Sequence, residues 1–277
     1  MLRPNTLAGV AFVDKPNTQS RPAALRRWRR WLFPLCSPLL LLLLWHSITA
    51  LELYPAFLIP PPADVFNEFV AVVQDGSLWE HTSVTLGEML PGLLIGTSIG
   101  VLLGYGISKS PLIEELLTPI IVAFQATPIV AYAPLLVIWF GSGQTSKIIT
   151  CAVIVFFPTM MNTMIGIRNV PHGLRDVLRS LRATRWQMLI KLEIPAALPV
   201  IFAGLKTSAT LAVIGAVVGE FVSAGHGLGY LVTAARYDYN TPLVYVTILT
   251  MTALALILYW SVSVLAWYLL AWQRRGN

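Results

Sequence analysis

Arg168-Asn169-Val170-Pro171-His172-Gly173-Leu174-Arg175-Asp176-Val177-Leu178-Arg179-Ser180-Leu181-Arg182-Ala183-Thr184-Arg185-Trp186-Gln187-Met188-Leu189-Ile190-Lys191-Leu192-Glu193-Ile194 is a polar island between two long apolar segments, closed by Pro195. Six basic residues fall within it: Arg168, Arg175, Arg179, Arg182, Arg185 and Lys191. From Pro171, a favoured residue at a helix start, it can run helically to about Leu192. Val177, Leu178, Leu181, Trp186, Leu189 and Ile190 then recur at helical spacing as an apolar stripe. A bend near Ala183-Thr184 divides it into two short helices, and Pro195 and Pro199 are expected to stop and restart the chain. This is the pattern of a cytoplasmic loop built to dock a partner, with an interfacial helix on anionic lipid as the plainer alternative.

Working outward, the 277-residue chain is 56% hydrophobic and only 12% charged, with net charge +6. Soluble chains carry about a quarter charged residues, so the composition indicates an all-α polytopic membrane protein. A helix crosses a bilayer with about 20 apolar residues. Six segments qualify, at about 31–51, 89–107, 115–140, 147–166, 195–218 and 244–271, the third kinked by Pro119, Pro128 and Pro134. The expected organisation is an N-terminal cytoplasmic tail 1–30, a six-span domain 31–272 with its loop at 168–194, and a cytoplasmic tail 273–277. Arg26 to Arg30, Lys109, the island and Arg274-Arg275 fall on one side, against only Lys147 and Arg236 on the other. Lysine and arginine mark the cytoplasmic face, so both termini are expected inside. Pro62 with Asp64 reads as the start of an amphipathic stretch reaching to about Glu88, placed outside with Trp79 at the interface.

Gly92, Gly96, Gly100 and Gly104 recur every four residues and line one helix face, where another helix can approach closely. Gly141-Ser142-Gly143-Gln144-Thr145-Ser146-Lys147 lacks phosphate-loop spacing and reads as an external turn; Gly225-His226-Gly227-Leu228-Gly229 lacks the βαβ context of a dinucleotide site. ATP therefore has no recognisable site here, and neither catalytic residues nor a metal site are expected. Cys36 and Cys151 lie in apolar runs and read as small packed hydrophobes. Ionisable residues inside spans are functional candidates: Lys206 about mid-span and Glu220 near an outer end, each with a bundle-fixing salt bridge as the plain alternative. Phe124, Gln125, Thr127, Tyr132 and Trp139 in the kinked segment, with Asn162, could line a pathway. Aromatic faces suit a planar solute and amides suit its edges.

With these residues in place, the sequence resembles the permease subunits of bacterial ATP-binding-cassette (ABC) importers. Their signature runs E-A-A, three residues, Gly, nine residues, I-x-L-P; the matching positions are Asp176-Val177-Leu178, Arg182 and Leu192-Glu193-Ile194-Pro195. Spacing and closing proline agree, while Arg182 replaces the glycine and both alanines are larger. The likeness runs from about Leu58 to Tyr268. Ile59-Pro60-Pro61-Pro62-Ala63-Asp64-Val65 is similar to the family's opening segment. Pro134-Leu135-Leu136-Val137-Ile138-Trp139-Phe140-Gly141 and Phe156-Phe157-Pro158 resemble the nitrate, sulfonate and taurine branch. Gln125-Ala126-Thr127-Pro128-Ile129-Val130 and Ala212-Val213-Ile214-Gly215-Ala216-Val217-Val218-Gly219-Glu220-Phe221 look most like permeases for thiamine-precursor pyrimidines and riboflavin.

The resemblance implies a MetI-like permease in the bacterial inner membrane, working as a pair with a second, identical permease subunit. ATPase subunits would hold ATP and magnesium, and a periplasmic or lipid-anchored binding protein would deliver the solute. No nucleic acid is involved. The coupling loop it implies comprises Asp176, Val177, Leu178, Leu181, Arg182, Ala183, Arg185, Trp186 and Pro195. The expected solute is a pyrimidine thiamine precursor or riboflavin, with alkanesulfonate, taurine or nitrate as the alternative. A stand-alone channel, an ion-coupled carrier or a receptor-like scaffold are the readings from other classes.

Overall fold

The computed structural model describes residues 23–223 and 225–274, and every regular element among them is helical. The expected tail 1–30 lies outside the described residues up to position 22, as does the C-terminal tail beyond 274. Helix α1 (Ala23–Ala50) forms a unit by itself, with the apolar stretch Cys36–Ala50 exposing Leu39 to Leu44. The remainder, from Tyr54 onward, is a second unit.

That unit opens with α2 (Pro62–Gln74), which starts at Pro62 as the sequence indicates. The amphipathic stretch does not continue to Glu88. Gly76, at φ 82°, breaks it, and α3 (Ser77–Ser108) begins at once, so the second span starts twelve residues earlier than hydropathy alone suggests (Ser77 rather than 89). Asp75 in the break accepts a hydrogen bond from the Ser77 N–H at 2.8 Å, and hydrogen bonding by Ser77, from its side chain first and its backbone second, holds its carboxyl below the usual range. Trp79 is exposed on this extension.

The third expected span is a second correction. It is three pieces: α4 (Pro111–Ala126), a 3₁₀ turn at Ile129–Ala131, and α5 (Ala133–Phe140). Proline disfavours the α conformation in the residue before it and lacks an N–H. Thr127, before Pro128, accordingly sits at φ −80°, ψ 126°, and the helix ends there. Backbone freed in this way is tolerated at membrane depth where it lines a cavity.

Then come α6 (Gln144–Arg168), α7 (His172–Ser180), α8 (Arg185–Met188), a wide π turn at Leu189–Glu193, α9 (Ile194–Ser223), α10 (Leu228–Tyr237), α11 (Thr241–Leu269) and α12 (Ala271–Arg274). The chain does not stop at Pro195 and Pro199: Arg185–Ser223 is one helical run of 39 residues. In the π turn the Ile194 N–H bonds Leu189 O, five residues back, so the ladder widens just before Pro195 removes a donor. Four described runs are long and apolar enough to cross a membrane: α3, α6, Arg185–Ser223 and α11.

The centre of this unit is α6, packed along α3 on one side and α9 on the other. Lipid offers no hydrophobic drive between helices, so close van der Waals approach through small residues takes its place. The glycine stripe of α3 supplies one face: a Cβ on Gly96 would stand 2.4 Å from Ala152 O, and one on Gly92 2.6 Å from Cys151 Cβ. Gly100 and Gly104 meet Phe156, Thr159, Met160 and Thr163 in the same way. On the other face Gly215 of α9 lies against Cys151, where a Cβ would be 2.6 Å from its Cα. Cys151 is therefore wedged between two helices, fully buried with Met89, Leu93, Val155, Ala212 and Ala216 around it. Buried hydroxyls bridge α6 and α9, with Thr159 Oγ1 and Ser208 Oγ 2.9 Å apart.

Candidate functional site: a docking loop and a cavity on the broken span

The loop between α6 and α9 is assembled by local rules. Pro171 caps α7, and α7 ends in a Schellman closure: the Ala183 N–H bonds Leu178 O at 3.0 Å and the Arg182 N–H bonds Arg179 O at 2.9 Å. The residue between must be left-handed, and Arg182 has φ 54°. This is the position where the importer signature carries glycine. The bend expected at Ala183-Thr184 thus sits one residue earlier, on Arg182 itself. Thr184 then caps α8 in a reciprocal box, its Oγ1 accepting from the Gln187 N–H at 3.2 Å while Gln187 Oε1 accepts from the Thr184 N–H at 2.8 Å.

Left-handed geometry costs a side-chain-bearing residue about 1–2 kcal/mol. Arg182→Gly is therefore expected to stabilise the turn by about 1 kcal/mol, slowing hydrogen exchange at Leu181 and Ala183 about fivefold. Unchanged exchange would show the turn unstrained.

α7 and α8 bury no side chain. Leu181 is 72% exposed, Trp186 68% and Val177 57%, with Leu174 and Ile190 also exposed. Leu178 and Leu189 of the expected stripe are half-buried. Asp176, Arg179, Arg182 and Arg185 are exposed around these apolar groups, and Asp176 is paired with Arg179 at 3.3 Å. Ala183 and Pro195 are half-buried. The loop's ends are fixed: Arg168 pairs with Glu114, Arg175 Nη2 donates to Ile167 O at 2.8 Å, and buried Glu193 is held by Lys109. A framed, outward-facing apolar surface has the shape of a docking element.

The second feature is a cavity of about 490 Å³ beside α4 and α5. Phe124, Gln125, Thr127, Tyr132 and Trp139 all line it, joined by Pro128, Leu135, Leu136, Val153, Ile154, Phe157 and Pro158. The break in the third span creates it, because the chain leaves helical geometry between Ala126 and Ala133. Phe124 stacks on Phe157 at 6.0 Å and lies 6.4 Å from the Tyr132 ring.

Three expected pathway residues are not in this lining. Asn162 donates to Pro158 O at 2.8 Å and packs against Gly204. Lys206 is half-buried with Nζ 5.8 Å from the Tyr259 ring centroid, in a cation–π contact and not a salt bridge. Glu220 is 2% exposed, and its carboxylate accepts from Thr85 Oγ1 at 2.6 Å and from the Gly229 N–H. The Leu228 N–H donates to Thr85 Oγ1 at 2.8 Å and the Gly227 N–H to His81 Nδ1 at 3.1 Å. Glu220 thereby clasps the start of α10 to α3, which accounts for the glycines at 227 and 229: a Cβ at either would strike its side chain.

Sequence reasoning named none of the ion pairs between helices, and one of them is buried on both sides. Lys147, read as an external cation, is 7% exposed and meets buried Glu88 at 3.2 Å between α6 and α3. An acid and a base inside adjoining apolar helices were the available signal.

The described residues thus combine helices long and apolar enough to cross a membrane, a broken apolar segment beside a cavity and an exposed amphipathic loop. Residues 96–272 match the family model for the binding-protein-dependent transport system inner membrane component. The chain belongs to that family, the MetI-like ABC permeases. It is 41% identical to the riboflavin transport system permease protein RibX of Chloroflexus aurantiacus over 85% of this chain and 88% of that protein. It is 31% identical to the taurine transport system permease protein TauC of Escherichia coli over 79% and 81% of the two chains. The fold is similar to the inward-facing MetNI methionine ABC transporter, with TM-score 0.55 and 21% identity over 70% of this chain and 94% of that one.

Proposed function

We propose that this permease subunit of an ABC importer translocates a small heteroaromatic solute, with riboflavin or a pyrimidine thiamine precursor as its cargo. The observation that supports the solute class is the cavity: four aromatic rings and the Gln125 amide converge on about 490 Å³, within the usual range of small-molecule sites. The 41% identity to a riboflavin permease supports it further. In this reading two copies of the chain form the pathway, both termini are cytoplasmic, and a binding protein delivers solute to the outer face. ATP and magnesium are held by separate ATPase subunits, and this chain performs no catalysis itself. Their closure reaches the helices through Val177, Leu181, Arg182 and Trp186, shifting the pair between two global states.

An alkanesulfonate, taurine or nitrate is the second reading, favoured by the 31% identity to a taurine permease. An anion calls for a cation in the pathway, and Lys206, the deep candidate, faces Tyr259 and lies outside the cavity lining.

Competition for uptake decides between them. Vesicles carrying this permease with its ATPase and binding protein should accumulate riboflavin or the pyrimidine, with unlabelled taurine in excess having no effect. Trp139→Ala should raise the apparent KM about tenfold through lost stacking, with assembly unchanged. Uptake of taurine in preference would replace the heteroaromatic reading with the anion one.

A further inference from the structure

The signature of the docking loop leaves one of its last four positions unspecified, and here Glu193 occupies it. The side chain is 3% exposed, a costly place for a carboxylate unless it is paired. Its partner comes from 84 residues away. Lys109, the capping residue at the end of α3, places Nζ 2.6 Å from Oε1 and 2.5 Å from Oε2, gripping both oxygens. Tyr105, one turn earlier on α3, completes the contact: its hydroxyl donates to Oε2 at 3.4 Å, and its ring lies 4.6 Å from the same ammonium.

Two further features bear on what this contact does. Glu193 is the last residue of the π turn, and one extra residue in a helical turn rotates everything after it by about 100°. The widened turn therefore sets the direction in which Glu193 points relative to the exposed face of α8. Moreover, the α3 end that it reaches belongs to the closely packed α3–α6–α9 body. The glycine contacts hold α3 against α6 and α6 against α9 at backbone distance, through Gly92, Gly96, Gly100 and Gly104 on one side and Gly215 and Gly219 on the other. The broken pair α4 and α5 has no comparable glycine seam among the described residues.

We infer that Glu193 is a positioning residue of the coupling machinery, and that its clamp by Lys109 makes the exit of the docking loop and the cytoplasmic end of α3 move as one. Displacement of α7 and α8 by a partner is then delivered to the α3–α6–α9 body directly, in addition to the path along α9. Without the clamp the loop pivots on the π turn, and partner movement is absorbed there. The importer assignment supplies the partner, but the clamp itself is a property of this chain.

The test uses the full chain in lipid nanodiscs, with Cys36 replaced by alanine and spin labels at Arg179→Cys on α7 and Gly106→Cys on α3, where a side chain meets nothing within 4 Å. The distance distribution should be a single narrow peak. Glu193→Gln and Lys109→Gln should each broaden it, and the exchange Lys109→Glu with Glu193→Lys should restore it. In the assembled complex, each single variant should retain ATP hydrolysis and assembly while solute carried per ATP falls about tenfold, with recovery in the exchanged pair. Distances and coupling that stay at wild-type values in both single variants would overturn the inference. Absence of any ATPase partner for the wild-type chain would instead remove the importer reading, while the nanodisc distances would still decide whether the clamp exists.

Discussion

Gly96→Leu should abolish the folded permease. A Cβ at that position would stand 2.4 Å from Ala152 O and 3.0 Å from Ala152 Cα, so the obstacle is backbone and not a side chain able to turn away. Relief requires α3 and α6 to separate over the length of their contact, breaking the adjoining approaches at Gly92 and Gly100. Overpacking a core by a few methylenes already costs about 1–3 kcal/mol. Parting two helices should exceed about 5 kcal/mol, comparable with the whole stability of a domain. The expected result is loss of monodisperse protein after detergent extraction. Gly106→Leu, at the same helix's end and facing open space, is the control and should extract normally. Equal yields from the two variants would refute the packing account.

Trp186→Ala should have the largest effect on function that leaves the permease folded. Trp186 is 68% exposed and touches no buried cluster, so its removal costs the isolated subunit little. At an interface, a central tryptophan is a usual hot spot whose truncation costs about 2 kcal/mol or more, near thirtyfold in affinity. ATPase subunits should therefore dissociate from the variant during purification at concentrations where wild-type complex persists. Leu181→Ala should act in the same direction more weakly. Normal thermal stability of both variants, measured alone, separates docking from folding. Wild-type affinity in the Trp186 variant would remove this loop as the dock.

Much of this was legible in the sequence because it follows from local rules. The island's apolar stripe, the start at Pro171, the glycine period on α3 and the proline interruption of the third span each depend on residues within a few turns of one another. Five of the expected pathway residues line one cavity because Pro128 follows the end of α4 and Pro134 opens α5, leaving the chain broken between them. What could not be read was partnership at a distance. Lys147 looks external by charge counting, yet Glu88 makes its burial tolerable. Glu220 looks like a pathway acid, yet Thr85 and Gly229 absorb its carboxylate. The second small-residue seam, on α9, spaces its glycines unevenly: Gly215 lies eleven residues beyond Gly204, and Gly219 four beyond that. Only the neighbouring helix gives it meaning.

Arg182 joins the two levels. Its replacement of the signature glycine was visible, whereas its φ of 54° was not. The Schellman geometry explains why glycine would suit the position, and Arg182 adopts its left-handed conformation despite carrying a side chain.

The central claim is that this chain carries solute inward when a partner hydrolyses ATP. Its most direct test is radiolabelled riboflavin uptake into proteoliposomes containing this permease, its ATPase subunits and its loaded binding protein, with ATP placed at the loop side. Accumulation that requires ATP, the ATPase subunits and the binding protein together, and that disappears in Trp186→Ala, is the predicted result. Accumulation driven by an ion gradient with the permease alone, indifferent to ATP, would contradict it.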